Sequence, residues 1–86
     1  MSNDYRCRVC GLQQPDPPWG IDGVTPSFLI CDCCGIEFGY EDATIAGTRV
    51  ARASWLARGA PWFVPHARPM GWESDAQLKM VPAQFT

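Results

Sequence analysis

Five cysteines are the residues of this sequence best suited to chemistry, and four of them stand in two matching pairs. Cys7 and Cys10 lie in C-R-V-C-G, and Cys31 and Cys34 in C-D-C-C-G. Two residues between thiols let one tight turn present both sulfurs to a single metal ion at about 2.3 Å. The glycine after each pair, Gly11 or Gly35, permits the positive φ that carries the backbone beneath the metal. Backbone N–H groups in such a turn can point at the sulfurs and offset their charge. Twenty residues separate the pairs, a distance at which two such turns close on one tetrahedral site. The spacing predicts one metal ion per chain, held by Cys7, Cys10, Cys31 and Cys34. Zinc is the expected ion and iron the alternative, because four thiolates in tetrahedral geometry suit these two and little else.

The fifth thiol, Cys33, sits inside the second turn and reads as a reduced bystander. Its alternatives are to replace Cys31 as a ligand or to act as a redox-sensitive thiol beside the site. His66, the single histidine, lies far from the pairs with no matched motif and reads as an ordinary surface or packing residue.

These pairs must be positioned by a chain of only 86 residues. That length makes one domain, and a core this small is marginal without a disulfide, a metal or a partner. An odd number of cysteines and no visible secretory signal argue for reduced thiols, and so for metal and a cytoplasmic setting. No apolar run approaches the roughly 18 residues that span a bilayer, so no membrane association is expected. Nine carboxylates against seven Lys and Arg give none of the basic excess that nucleic-acid binding requires, which disfavours that class of partner.

Along the chain, residues 1–42 carry the two pairs around a loop rich in Pro and Gly (Pro15, Pro17, Pro18, Gly20, Gly23, Pro26). Phe28, Leu29 and Ile30 read as a short strand entering the second pair, and Ile36, Phe38 and Tyr40, alternating with Glu37 and Gly39, as a strand returning from it. A helix is expected from about Ala43 to Arg58, capped by Asp42 or Thr44 and closed by Gly59 and Pro61, so that 43–59 form the second segment. Ile45, Thr48, Ala51, Trp55 and Leu56 fall on one side, while Val50, Ala53 and Ala57 make the opposite side small and apolar. Residues 60–86 hold Pro61, Pro65, Pro69 and Gly71, which forbid a long element, and form a tail expected to wrap the domain with Trp62, Phe63, Met70 and Trp72. A short helix can start at a capping box over Ser74–Gln77, and the last residues are expected to be mobile.

The two C-x-x-C-G turns resemble those of zinc-ribbon and rubredoxin-like proteins over about the first 40 residues. The Cys-Asp-Cys-Cys cluster is also similar to small bacterial cysteine-rich proteins with a C-P-C-C signature, with Asp32 in place of the proline. The resemblance implies a small α+β, metal-stabilised fold of zinc-ribbon-like β-hairpins, here with one α-helix and an irregular C-terminal tail. It implies a structural metal in a protein that binds other macromolecules, of which an inhibitor or immunity protein of a bacterial toxin is one form. A rubredoxin-like electron carrier on iron and a nucleic-acid-binding ribbon are the alternatives.

The residues themselves lead to a similar expectation. Four thiolate ligands leave no open position for water or substrate, and no nucleophile with a partnered base is visible. A non-enzymatic module that binds another protein is therefore expected. Its contact surface is expected on the helix and tail, at Arg49, Arg52, Trp55, Trp62 and Trp72, because Arg and Trp are the usual anchors of interfaces.

Overall fold

In the computed structural model, which describes residues 4–86, the chain runs through two cysteine turns into helix α1 (Ile45–Ala57). A 3-10 turn (Pro65–Ala67), a short helix α2 (Ser74–Leu78) and a second 3-10 turn (Ala83–Phe85) follow. Residues 1–3 of the N-terminal lead lie outside the described residues.

The β-hairpins expected on either side of the cysteines do not form, and the α+β assignment is corrected to a small globule of turns and two α-helices. Among the described residues the only β pairing is two isolated bridges, Arg6 with Gln13 and Ile30 with Glu37. The physical reason lies at the ends of each bridge. Beyond Gln14 come Pro15, Pro17 and Pro18, which have no N–H to extend a ladder. Around the second bridge, Phe28 (φ 61°) and Gly39 (φ 102°) turn the chain out of the extended conformation. The Gly39 N–H then donates to the Asp42 carboxylate at 2.7 Å instead of to a strand.

Helix α1 follows from local signals. The Thr44 hydroxyl accepts the Gly47 N–H at 2.9 Å and so caps the first turn. At the far end the Gly59 and Ala60 N–H groups return to the carbonyls of Leu56 and Trp55, with Gly59 at φ 91°. That is the double bond of a Schellman stop. The inner face of α1 buries Trp55 and Thr48, and half-buried Ala51 and Arg52 flank them.

The core is built on sulfur. Cys7, Cys10, Cys31, Cys33 and Cys34 cluster with Val9, Ile36, Phe38, Trp55, Ala60 and Trp62, and Leu12, Trp72 and Leu78 pack against them. Trp72 stands edge-on to Trp62 (centroids 5.4 Å, 82°) and tilted against Trp55 (6.3 Å, 59°). These are favourable aromatic geometries. The tail is tied across this core. The N–H groups of Phe63 and Val64 donate to the carbonyls of Cys33 and Asp32, both at 2.9 Å. Val81 and Pro82 are buried, and the end of the chain is held by α1. The Trp62 indole N–H is the one buried side-chain donor left without a partner among the described residues.

Candidate metal centre

The two cysteine turns are near copies. Cys7 N–H bonds to Leu12 O at 2.9 Å, and Cys31 N–H to Ile36 O at 3.0 Å. Gly11 N–H closes on Cys7 O, and Gly35 N–H on Cys31 O, each at 3.0 Å. Gly11 and Gly35 take φ of 86° and 78°, a region that L side chains rarely adopt. In each turn the bridged residues stand the same distance apart in sequence, seven residues, 6 to 13 and 30 to 37.

The copies face one another and bring four sulfurs to one point. The Sγ atoms of Cys7, Cys10, Cys31 and Cys34 all lie within 4.8 Å of each other. Cys7 Sγ is 3.6 Å from Cys34 Sγ, and Cys10 Sγ is 3.7 Å from Cys31 Sγ. A disulfide would need about 2.05 Å, and all five cysteines are free. A tetrahedral ion with metal–sulfur bonds of about 2.3 Å separates its ligands by roughly 3.8 Å. The two short edges match that spacing, so the donor set fits a tetrathiolate metal. Cys7, Cys10 and Cys31 are 0% exposed and Cys34 is 6% exposed, so the site is closed to solvent.

Nearby groups are arranged around these sulfurs. The Val9 N–H points at Cys7 Sγ (3.4 Å), and the Gln14 side-chain amide at Cys31 Sγ (3.5 Å). Four thiolates on a divalent ion carry a net negative charge, and Arg52 lies close by. Burial lowers the Arg52 pKa, while the charge on the Cys7 sulfur opposes that shift. The guanidinium donates to Val9 O (2.7 Å), Arg8 O (2.8 Å) and Phe85 O (2.6 Å). Arg8, inside the first turn, lies 4.0 Å from the Trp19 ring centre and 4.2 Å from that of Phe85. Buried Asp42 accepts the Trp19 indole N–H at 2.9 Å, which ties the Pro-rich loop to the turn before α1.

In the metal-free chain the thiols titrate against one another. Hydrogen bonding with Cys31 pushes the Cys10 thiol up, and the same contact with Cys10 pushes Cys31 down. A bond with Cys10 acts to lower Cys34, but bonds with Cys31 and Cys7, together with burial, leave it raised.

Cys33 is buried but is not one of the four clustered donors. Its sulfur accepts the Gln77 side-chain amide at 3.3 Å, and the same amide donates to Cys10 O at 3.2 Å. Gln77 and Gln14 were invisible as site residues in the sequence. No motif marks them, and Gln77 reaches the centre from the tail. His66 is exposed in the first 3-10 turn and is not one of the clustered donors.

The residues expected at a partner surface divide. Trp55 is 1% and Trp62 9% exposed, and both lie in the aromatic cluster. Trp72 is half-buried and donates its indole N–H to Gln77 Oε1 at 2.8 Å. Arg52 is taken up by the three carbonyls. Arg49 is exposed and donates to Thr86 O at 3.0 Å. At Arg52, Trp55 and Trp62, substitution therefore acts on stability before it acts on any contact with a partner.

Among the described residues no helix is long and apolar enough to cross a membrane. Comparison with known proteins returns no matching family model, no matching curated protein and no matching solved structure.

Proposed function

We propose that the chain is a non-enzymatic protein-binding module stapled by one structural zinc ion. The observation that supports this reading is the closure of the site: four buried thiols lie mutually within 4.8 Å, and together they would fill every position of a tetrahedral ion. An ion so enclosed has no place for water or substrate, which is the mark of a structural centre. Zinc suits a centre that serves as the core itself, since it brings no redox chemistry. Docking is supported by large apolar side chains left outside. Phe28 is 61% exposed, and exposed Leu29, Tyr40 and Phe63 lie near it in sequence or beside the second turn. Inhibition of a partner toxin is one form that such docking would take.

The test is metal analysis of the purified chain together with retention of a partner on the immobilised, metal-loaded protein. One zinc per chain and no colour are expected. Phe28→Asp, which suits the left-handed conformation at that position, is expected to keep the metal and release the partner. Iron in the folded protein, or a folded protein without metal, would overturn the zinc staple.

A further inference from the structure

A groove of about 600 Å³ runs between the second cysteine turn and the outer side of α1. Its floor on the helix is small (Gly47, Ala51 and Ser54), and Val50 and Tyr40, 70% and 76% exposed, stand on its walls. Ala46, Val50, Ala53 and Ala57 continue this face as an exposed apolar line at spacings of four, three and four. That is the spacing of a helix seam that packs against another helix. From Thr44 to Arg58 the face is about 20 Å long at 1.5 Å per residue.

Charge decides the occupant. Only two charged residues line the groove, Glu41 at the N-terminal end of α1 and Arg58 at its C-terminal end. Neither side chain forms an ion pair among the described residues. Val50 lies close to midway between them in sequence. A face with an acid at one end, a base at the other and an apolar centre is complementary to itself when turned by half a rotation. A two-fold axis through Val50 would set Glu41 of each copy against Arg58 of the other and lay the two helices antiparallel. Such an isologous contact is the commonest way in which identical chains associate. Helix dipoles also oppose favourably in that arrangement. The small floor lets the second helix approach within the usual 8–10 Å.

We propose that the chain forms a two-fold homodimer in which α1 of each copy fills the groove between α1 and the second cysteine turn of the other. This goes beyond the docking reading above, because the face is a second one that shares only Tyr40 with the surface around Phe28.

The test uses sedimentation equilibrium on the metal-loaded full chain from micromolar to millimolar concentration, with helical signal and metal content followed in parallel. Wild type is expected to move from monomer to dimer mass. Val50→Glu is expected to weaken the dimer at least tenfold, whereas Val24→Glu, equally exposed on the Pro- and Gly-rich loop, should leave it unchanged. Glu41→Lys and Arg58→Glu should each weaken self-association, because every copy then meets a like charge. Mixing these two variants should restore dimers, since the mixed pair regains both opposite-charge contacts. A chain that stays monomeric throughout overturns the proposal, and so does a dimer indifferent to Val50→Glu. A mixture that fails to dimerise better than either variant alone also overturns it, and a foreign helix is then the remaining occupant. Failure of the zinc reading would appear separately, in the metal analysis.

Discussion

Arg52 on α1 donates its Nε–H to the carbonyl oxygen of Val9 at 2.7 Å, inside the first cysteine turn. The same guanidinium reaches Arg8 O and Phe85 O. One cation thus joins the helix, the first cysteine turn and the last residues of the chain. A planar fork with several fixed donors can do this, and a point charge on a flexible stem cannot.

Arg52→Met should therefore lower the stability of the metal-loaded protein by about 2–3 kcal/mol, the range for losing hydrogen bonds to a charged group. Arg52→Lys should recover only part of that. Urea unfolding followed by tryptophan fluorescence measures both. Arg49→Ala, at an exposed position with a single bond to Thr86 O, should change stability by no more than about 0.5 kcal/mol. Equal losses at the two arginines would show that the junction at Arg52 carries no special weight.

The two buried thiols next to one another in function should respond differently to serine. Metal binding at such sites is worth about 10–16 kcal/mol, as much as the whole stability of a small domain. Cys10→Ser should therefore lose both the metal and the fold. Cys33→Ser should keep one metal per chain at a cost of about 1 kcal/mol, because the Gln77 amide that bonds Cys33 Sγ can bond a hydroxyl instead. Metal content and circular dichroism decide. Loss of metal from Cys33→Ser together with retention in Cys31→Ser would reassign the ligands.

The part of this architecture that was legible in the sequence is the part encoded within a few residues. C-x-x-C-G specifies a complete turn with its own hydrogen bonds. Thr44, Gly59 and Pro61 punctuate α1 from both ends. The strand reading failed for a different reason. Ile36 and Phe38 are buried and Glu37 between them is exposed, so the alternation held over these three residues, but it failed at Tyr40, which is exposed instead of facing the core. It recorded which side faces the sulfurs, but a ladder also needs a partner strand, and prolines and left-handed residues remove one. Of the two caps the sequence offers for α1, Asp42 or Thr44, it is Thr44 that caps, while the Asp42 carboxylate reaches back to Trp19 and Gly39. Arg52, Gln14 and Gln77 act on groups 17 to 67 residues away, and nothing in their neighbourhoods announces it. Trp55 and Trp62 had the composition of interface anchors, yet a chain this short needs such bulk for its core.

Acid should release the metal and, with it, the fold. A free thiol carries its proton at neutral pH and must give it up to bind a metal, and hydrogen bonds among the clustered sulfurs together with burial push Cys10 and Cys34 further up. Binding the ion must therefore expel thiol protons. Each proton released costs about tenfold in affinity per unit fall in pH, so affinity should drop by at least about tenfold per unit on the acid side of neutrality. Because the ion holds the fold, stability follows the same direction: present at neutral pH and lost as pH falls. Competition with a chromophoric chelator across pH measures the slope. A flat profile would mean that the thiols are already ionised before the metal arrives.

The two glycines that close the cysteine turns should differ in what they tolerate, although the turns are near copies. Both hold φ near +80°, so alanine at either meets a backbone strain of about 1–2 kcal/mol. What surrounds the added methyl group separates them. At Gly11 a Cβ would collide with the backbone carbonyl oxygen of Gln77 and lie 3.0 Å from Val81 N. Those atoms belong to the end of α2 and the segment after it, and they cannot yield unless the tail lifts off the first turn. At Gly35 a Cβ would meet only side-chain atoms of Phe63, Cδ1 at 3.1 Å and Cβ at 3.3 Å, and swinging the exposed ring into solvent leaves the mild Cβ contact alone. Gly35→Ala should therefore cost about the strain alone, whereas Gly11→Ala should cost about 3 kcal/mol or more, in the range of overpacked cores. The tail carries Gln77 onto Cys10 O, so Gly11→Ala should also speed loss of the metal to a chelator, while Gly35→Ala should not. Unfolding of the two metal-loaded variants, with chelator release followed in parallel, checks both halves. Equal costs and equal release rates would show that the tail does not brace the first turn.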